Sequence, residues 1–371
     1  MKWMSKFIFQ VILSFSFLFQ ITLYSMENPK VGSIREFYRS ASSMGMGNAY
    51  MSSVRDCEAL YYNPAALGRL RNKISADVLN PQIGINRQIY DLSTKVSEIM
   101  SDNDSMINYM EKQVGNAQYG MVSLTPSICF RDFGFGLFEI GEFEAYTSDR
   151  ANPKMDIYVR NDYGFIFGGA YKMFGGRLKL GIAVKYIFRS EVDKTVSVAD
   201  FVSNDFDLQE TRDGTAIGID ASALWTIPRA MLPRFTVMIE NAGDTYFKES
   251  SSSLVGNNVV GAPSAMKQKL HFGIGISPKI TSLSMVNINI EMRDAFRKTE
   301  DYARLMHIGA ELALPHLLKF RLGFNQGYLA YGFTLDFKFS KFEFASYGQE
   351  LGAYAGQQED TRYIVKYSLG F

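Results

Sequence analysis

The sequence predicts an all-β protein: a transmembrane antiparallel β-barrel of about 14 strands with an N-terminal hatch in its lumen. Three observations support this prediction. Apolar and polar residues alternate with a period of two along most of the chain, the final segment alternates up to a terminal aromatic residue, and the connections alternate between short and long. Each observation is typical of a barrel with lipid on its outside and a polar lumen.

The composition excludes two classes of protein. Hydrophobic residues make up 47% of the 371 residues and aromatic residues 14%, yet the mean hydropathy is -0.08. A bundle of membrane helices needs about 20 consecutive apolar residues per span, so this chain is too polar for one. The 39 basic and 38 acidic residues nearly cancel, which argues against nucleic acid as a partner.

The first 25 residues have the pattern of a secretory signal peptide. Lys2 and Lys6 precede an apolar run over residues 7–19, and Ser25 supplies a small residue at the expected cleavage site. A retained anchor helix is the alternative, but Gln10 and several serines weaken a spanning segment. We therefore expect export and location in the cell outer membrane.

The period-two alternation is clearest in the middle of the chain. From Leu178 to Phe188, apolar residues on one register alternate with Lys179, Lys185 and small residues on the other. Successive side chains of a strand point to opposite faces, so each such segment has one lipid-facing and one lumen-facing side. The predicted strands cover roughly 73–89, 119–128, 131–146, 155–173, 176–190, 213–227, 233–241, 268–277, 284–293, 303–313, 317–324, 328–338, 341–347 and 361–371.

The connections provide an independent test of the strand count. Even-numbered connections are short, for example near Arg131, Gly175 and Pro315, whereas most odd-numbered ones are longer. An even-stranded outer-membrane barrel has short turns at one end and long loops at the other. Only the short link over residues 325–327 departs from this parity. The long connection at 91–114 has a helical apolar pattern, which fits either a lid or a self-packed surface loop, and residues 200–208 form a second, shorter and acidic helical stretch.

The last strand has the features of a barrel-assembly signal. Its lipid-facing register contains aromatic and aliphatic residues and ends on the final residue of the chain, in the order Tyr363, Val365, Tyr367, Leu369 and Phe371. We expect this strand to close the barrel, which spans residues 73–371, against the strand near residues 75–85. The barrel-assembly machinery is therefore an expected partner during insertion, together with outer-membrane lipid.

Residues 26–72 lack the alternation and form the predicted hatch segment. Gly45 and Gly47 allow tight backbone turns. Asn63 and Pro64 combine a residue that bonds nearby backbone with one that fixes its own φ. A compact irregular segment before a barrel could satisfy its backbone polar groups against the lumen wall.

These residues resemble the FadL superfamily of outer-membrane transporters. The matching features are the run from Gly45 to Tyr50, Asp56, and the motif Asn63, Pro64 and Ala65, with a spacing most similar to the shorter, PorV-like branch. The resemblance implies a fourteen-stranded barrel closed by a hatch to which the Asn-Pro-Ala motif belongs. It also implies passive uptake of hydrophobic small molecules such as long-chain fatty acids.

Alternative functions follow from the same features. PorV-like barrels are associated with export, so the chain could instead bind partner proteins in export or surface attachment. An open porin is disfavoured by the hatch. The apolar residues Ile187, Leu224 and Met238 on the lumen register indicate either a ligand-binding wall or packing against the hatch.

The sequence contains no pattern for catalysis, a metal site or a cofactor. No serine lies in a Gly-x-Ser-x-Gly elbow, and none of the three histidines, at 271, 307 and 316, has ligand spacing with a cysteine. We expect His271 and His307 to line the lumen. Cys57 and Cys129 are the only cysteines; in an exported chain they could pair, although spacing alone does not decide this.

Overall fold

The computed structural model confirms the antiparallel barrel. It describes residues 34–70, 74–99, 108–109, 111–148, 154–197, 210–250, 258–280, 284–297, 299, 301–314, 317–337 and 339–370. The signal peptide, residues 200–208 and Phe371 lie outside the described residues. The wall formed by the described residues is a closed ring of 14 strands.

The wall strands, in chain order, are the following. β1 has two segments, Ile74–Leu79 and Gln82–Asn86, and β2 has Ala117–Leu124 and Ser127–Phe130. The others are β3 (Phe133–Ser148), β4 (Lys154–Met173), β5 (Leu178–Ser197), β6 (Glu210–Thr226), β7 (Arg234–Glu240), β8 (Lys269–Ile276), β9 (Met285–Met292), β10 (Met306–Ala313), β11 (Leu318–Asn325), β12 (Tyr328–Asp336), β13 (Ser340–Glu350) and β14 (Glu359–Gly370).

Each wall strand pairs antiparallel with its sequence neighbours, and β14 pairs with β1 to close the ring. The closing register places Lys366 opposite Gln82 and Arg362 opposite Asn86. Near the other end of β1, Asp77 lies opposite Gly370, where the register shifts. The predicted closure of the last strand against residues 75–85 is therefore confirmed.

The two ends of the barrel differ as the loop lengths predict. Turns of a few residues join β2–β3, β4–β5, β10–β11 and β12–β13 at the end where β1 begins and β14 finishes, which we name the turn end. The opposite end, which we name the loop end, carries the longer connections. There, two short strands, Lys248–Glu249 and Asn258–Val259, pair with β6.

The two faces of the strands separate as the alternation predicts. On β5, the outward Ile182 is 52% exposed, whereas the inward neighbours Ala183 and Lys185 are 0% and 1% exposed. On β14, the inward Arg362, Ile364 and Lys366 are buried. The exposed faces together form the apolar belt that a barrel presents to lipid.

The first two wall strands each contain a break that the predicted boundaries missed. Pro81 interrupts β1 and Pro126 interrupts β2, because proline has no N–H to give to the ladder. The side chain of Asn80 bridges the two breaks: its Nδ2 donates to the Thr125 carbonyl at 2.8 Å, and its Oδ1 accepts from the Thr125 N–H at 2.7 Å. A pair of side-chain hydrogen bonds thus replaces ladder bonds at this level.

The first strand also ends earlier than the predicted residue 89. Asn86 finishes β1 and accepts a hydrogen bond from the N–H of Ile89, the arrangement of a helix cap. The helix α3 then spans Arg87–Ile99, and so begins before the predicted residue 91. Within the described residues, no helix has both the length and the apolarity to cross a membrane.

Candidate functional site

The lumen contains residues 34–70, here called the lumen segment. It holds two short helices, α1 (Ala41–Gly45) and α2 (Ala59–Tyr62), and the 3-10 helix Pro64–Arg69. Helix α1 contacts β11 to β14, whereas the 3-10 helix contacts β3 to β6. These two groups of strands are about half the ring apart, so the segment reaches across the barrel.

The first docking point is the Gly-Met-Gly run that follows α1. Gly47 has φ +60, and a methyl group there would lie 2.5 Å from the backbone N of Phe324 on β11. Wall glycines face this turn in return: a methyl at Gly309 would lie 2.2 Å from the Met46 carbonyl oxygen, and one at Gly323 would lie 2.6 Å from the Gly47 N. The backbones therefore meet where neither side has a side chain.

The local sequence explains why the chain turns here. The Ser40 side chain accepts a hydrogen bond from the Ser43 N–H at 3.1 Å and so caps α1. Gly45 ends the helix against Gly332 on β12. The Gly47 carbonyl then accepts a hydrogen bond from Nδ1 of His307 at 3.0 Å. The predicted role of Gly45 and Gly47 as turn residues thus coincides with close contact to the wall.

The second docking point is the Asn-Pro-Ala motif. A methyl added at Gly181 on β5 would lie 2.0 Å from the Ala65 N. The same Ala65 N–H donates to Ser222 Oγ on β6 at 2.8 Å. Pro64 occupies the first turn of the 3-10 helix, where its missing N–H costs nothing.

Turn chemistry predicts that the Asn63 side chain bonds backbone close to it in the sequence. In the structure it instead reaches back along the lumen segment. Its Nδ2 donates to the Met51 carbonyl at 3.0 Å, and the side chain is fully buried. This bond joins the part of the segment near β5 to the part near β8 and β9. Asn63 therefore holds the fold of the segment together.

A single apolar cluster joins the lumen segment to one side of the wall. Phe37 packs edge-on against Phe138 of β3 with their ring centroids 5.3 Å apart. Leu60 contacts the wall at Gly134 and Gly168. The cluster includes the inward wall residues Phe138, Ile140, Ile166, Ala183, Ile187, Ala216 and Leu224. The sequence left two interpretations of the apolar lumen residues, a ligand-binding wall or packing against the predicted hatch. Ile187 and Leu224 pack in the same cluster as the lumen segment, and Met238 is also buried.

Ion pairs hold the segment to other parts of the wall. Arg39 binds Glu142 of β3 at 2.6 Å, and Arg160 of β4 binds the second oxygen of the same carboxylate, also at 2.6 Å. Glu58 accepts from Lys366 of β14 at 2.5 Å. Burial raises the pKa of the Glu58 carboxyl to about 7, with Lys366 opposing the rise and Asp56 adding to it. Breaking either buried pair would leave an uncompensated charge in the lumen.

The two lumen histidines have structural partners. Nε2 of His271 lies 3.2 Å from Glu240, and its Nδ1 accepts from the Asp294 N–H at 3.2 Å. His307 binds the lumen segment as described above. Among the described residues, no group of three or more His, Cys, Asp or Glu side chains could hold a metal ion.

The two cysteines are joined. Cys57 of the lumen segment forms a disulfide with Cys129 of β2, with the two Cα atoms 5.8 Å apart. The pairing left open by the sequence is thus formed in the structure, and it fixes the segment to the wall covalently.

Little space remains around the lumen segment near the loop end. A cavity of about 10 Å³ lies between Ile34, Glu36, His271 and Arg293. That volume accommodates about one water molecule. The lumen in this region is therefore packed.

The lipid-facing register of β14 is where the sequence places it. Tyr363, Val365, Tyr367 and Leu369 are 38–42% exposed on the outer face. The alternate residues of β14, Arg362, Ile364, Lys366 and Ser368, are buried on the lumen side.

Two solved structures are similar to this chain over most of its length. The chain aligns with the toluene transporter TbuX of Ralstonia pickettii at a TM-score of 0.51 and 12% identity, covering 89% of this chain and 97% of that one. It aligns with the monoaromatic hydrocarbon channel CymD at a TM-score of 0.50 and 12% identity, covering 89% and 96%. The chain shares the barrel fold of these two channels. No protein-family model and no curated protein sequence matches it.

The barrel fold accounts for a location in the outer membrane. A closed barrel with an apolar outer belt and a polar interior is an outer-membrane structure. The solved neighbours are transport channels rather than enzymes. The resemblance read from residues 45–65 is therefore confirmed at the level of fold.

Proposed function

We propose that the protein is a passive outer-membrane channel for hydrophobic small molecules and that the lumen segment is its hatch. The observation that carries the proposal is the docking of one continuous segment on wall glycines at two opposite sides of the barrel, at Gly323 and at Gly181. Such a segment blocks free diffusion through the lumen. We further propose that the turn end faces the periplasm and the loop end faces the outside, as in other outer-membrane barrels.

The apolar cluster supports a hydrophobic substrate. Phe138, Ile166 and Ile187 face the lumen on three neighbouring strands and are covered by apolar residues of the hatch. Movement of the hatch away from them would present an apolar wall to a ligand. The names of the two structural neighbours, a toluene transporter and a monoaromatic hydrocarbon channel, point to the same class of solute. Long-chain fatty acids are a narrower candidate within this class.

The test is solute flux into proteoliposomes whose outer leaflet is lipopolysaccharide, measured above the flux into protein-free vesicles of the same composition, because apolar solutes cross a plain phospholipid bilayer without a channel. Purified protein should admit radiolabelled toluene, a labelled long-chain fatty acid, or both, but not sucrose. The change Ile187→Thr shortens the side chain and adds a hydroxyl to the lumen wall, and it should lower the flux severalfold. Ile182→Thr makes the same change on the lipid face of the same strand, where Ile182 is 52% exposed, and should leave the flux unchanged.

Two results would contradict the proposal. Sucrose flux equal to toluene flux would indicate an open porin. Absence of flux for every apolar solute, together with a protein that co-purifies stoichiometrically, would favour the partner-binding barrel of the PorV-like type instead.

A further inference from the structure

The Cys57–Cys129 disulfide divides the hatch into two parts with different attachments. Cys57 lies two residues before α2, and both cysteines are 1% exposed. The Sγ of Cys57 also lies 3.6 Å from the Ser75 carbonyl oxygen on β1. The chain enters the wall at Ile74, shortly after the 3-10 helix. Residues 57–70 are thus attached covalently to the wall at both ends.

Within the described residues, residues 34–56 are attached covalently to the barrel through residue 57, on their C-terminal side. Their contacts with the wall are hydrogen bonds, ion pairs and apolar packing, which are all non-covalent and can break and form again. Examples are the bond from Ser42 Oγ to Glu343 of β13 at 2.5 Å, the bond from Asn289 of β9 to the Ala49 carbonyl at 2.7 Å, and the Arg39–Glu142 pair at 2.6 Å.

We infer that the disulfide makes residues 57–70 a retained half of the hatch and leaves residues 34–56 as a releasable half. The inference rests on the proposed hatch function. Opening is then a withdrawal of residues 34–56 that pivots near Cys57, without ejection of the whole segment. The disulfide determines which part of the hatch moves.

The contacts of the releasable half fit this role. Phe37 covers Phe138, the aromatic residue of the apolar wall, and also lies under Lys185 of β5, whose Nζ is 4.8 Å from the ring centroid. Withdrawal of residues 34–56 would uncover Phe138. The retained half keeps its own contacts, with Leu60 at Gly134 and Ala65 at Gly181.

Reduction tests the inference because it removes the covalent attachment alone. A small dithiol such as dithiothreitol breaks the Sγ–Sγ bond, and two electrons and two protons convert Cys57 and Cys129 to thiols while the reagent becomes a cyclic disulfide. Residues 57–70 then remain attached covalently only through the chain into β1. The retained half should become releasable.

The experiment measures the labelling of introduced thiols by a maleimide reagent in the full-length protein in liposomes. Ser42→Cys reports on the releasable half and Ala66→Cys on the retained half; the two native side chains are 3% and 0% exposed. With the native disulfide intact, Ser42→Cys should be labelled at least about tenfold faster than Ala66→Cys, since each tenfold ratio corresponds to a difference of about 1.4 kcal/mol in opening. Mass spectrometry verifies that Cys57 and Cys129 stay paired.

The second arm removes the disulfide. In the Cys57→Ser/Cys129→Ser background, and separately after brief reduction of the natural pair, labelling of Ala66→Cys should rise severalfold toward that of Ser42→Cys. Reduction serves where the double variant fails to insert. Equal labelling of both positions in the oxidised protein, or no change at Ala66→Cys after the disulfide is removed, would overturn the inference.

Labelling does not depend on any substrate. If toluene and fatty-acid flux are absent but the difference between the two positions persists, the proposed transport function fails while the division of the hatch stands. If flux is present but the two positions label equally, the division of the hatch fails while the proposed transport function stands.

Discussion

Gly47 of the lumen segment lies against the backbone of Phe324 on β11, with room for no side chain between them. A methyl group at Gly47 would lie 2.5 Å from the Phe324 N and 2.6 Å from its carbonyl oxygen, and the φ of Gly47 is +60. Two conditions, a left-handed backbone and a close backbone contact, thus meet at one residue. Together with the contacts at Gly309 and Gly332, this contact positions the lumen segment against β10 to β12.

Gly47→Ala should weaken docking of the hatch. Overpacking of this kind costs about 1–3 kcal/mol, so transient channel openings should become frequent in planar-bilayer recordings. Gly175→Ala is the matched control, because Gly175 has φ +67 but no atom within 4 Å of an added methyl. It carries the backbone strain without the contact. Equal effects of the two changes would show that the contact with Phe324 does not hold the hatch.

Asn63→Ala should loosen the connection within the hatch. The change removes the donor to the Met51 carbonyl and leaves that oxygen without this partner, a loss of about 1–3 kcal/mol for a buried group. The expected result is increased conductance with an unchanged barrel, measured as unchanged heat-modifiable migration on gels. Pro64→Ala alters only the start of the 3-10 helix and should have the smaller effect, about 0.4–1 kcal/mol. Unchanged conductance in both variants would contradict the role given to the Asn-Pro-Ala motif.

The carboxyl group of Glu58 should make hatch stability dependent on pH. Burial raises its pKa from 4.5 to about 7, so the folded state binds more protons than the unfolded state between these values. The contribution of Glu58 is therefore fully present below pH 4.5 and is lost as the pH rises through about 7. Relative to Glu58→Gln, which cannot titrate, the wild-type unfolding midpoint should fall over this range. A difference that stays constant or rises with pH would refute this assignment.

The outward register of β14 should be required for assembly. Tyr367→Ser removes an aromatic residue that is 42% exposed on the lipid face, and deletion of Phe371 shortens the same register. Both should reduce the amount of folded protein in the outer membrane, measured by fractionation and surface labelling. Ser368→Ala, on the inward face and 3% exposed, is the control. Normal delivery of the Phe371 deletion would be evidence against the assembly signal.

Much of the wall was predictable because its physical rule is local. The alternation around Lys185 and Ile187 depends on adjacent residues, and lipid on one side of every strand enforces it. The breaks at Pro81 and Pro126 also had a visible signal, since proline cannot donate within a sheet. The register shift that accompanies the first break depends on β14, which lies far away in the sequence.

The contacts of the lumen segment were predictable only in part. The motifs at Gly47 and Asn63 were visible as turn chemistry, but their partners Phe324 and Met51 depend on how the segment crosses the lumen. Wall glycines such as Gly181 looked like ordinary small lumen residues, and only the contact with Ala65 distinguishes them. The pairing of the two cysteines likewise depends on the position of α2 inside the barrel.

The most direct test of the account compares planar-bilayer conductance of the intact chain with that of a variant lacking residues 26–68. The intact protein should conduct almost no ions, because residues 34–70 cross the lumen between β5 and β11, and the deletion should conduct like an open barrel. High, steady conductance of the intact protein, equal to that of the deletion, would contradict the claim that residues 34–70 close the channel.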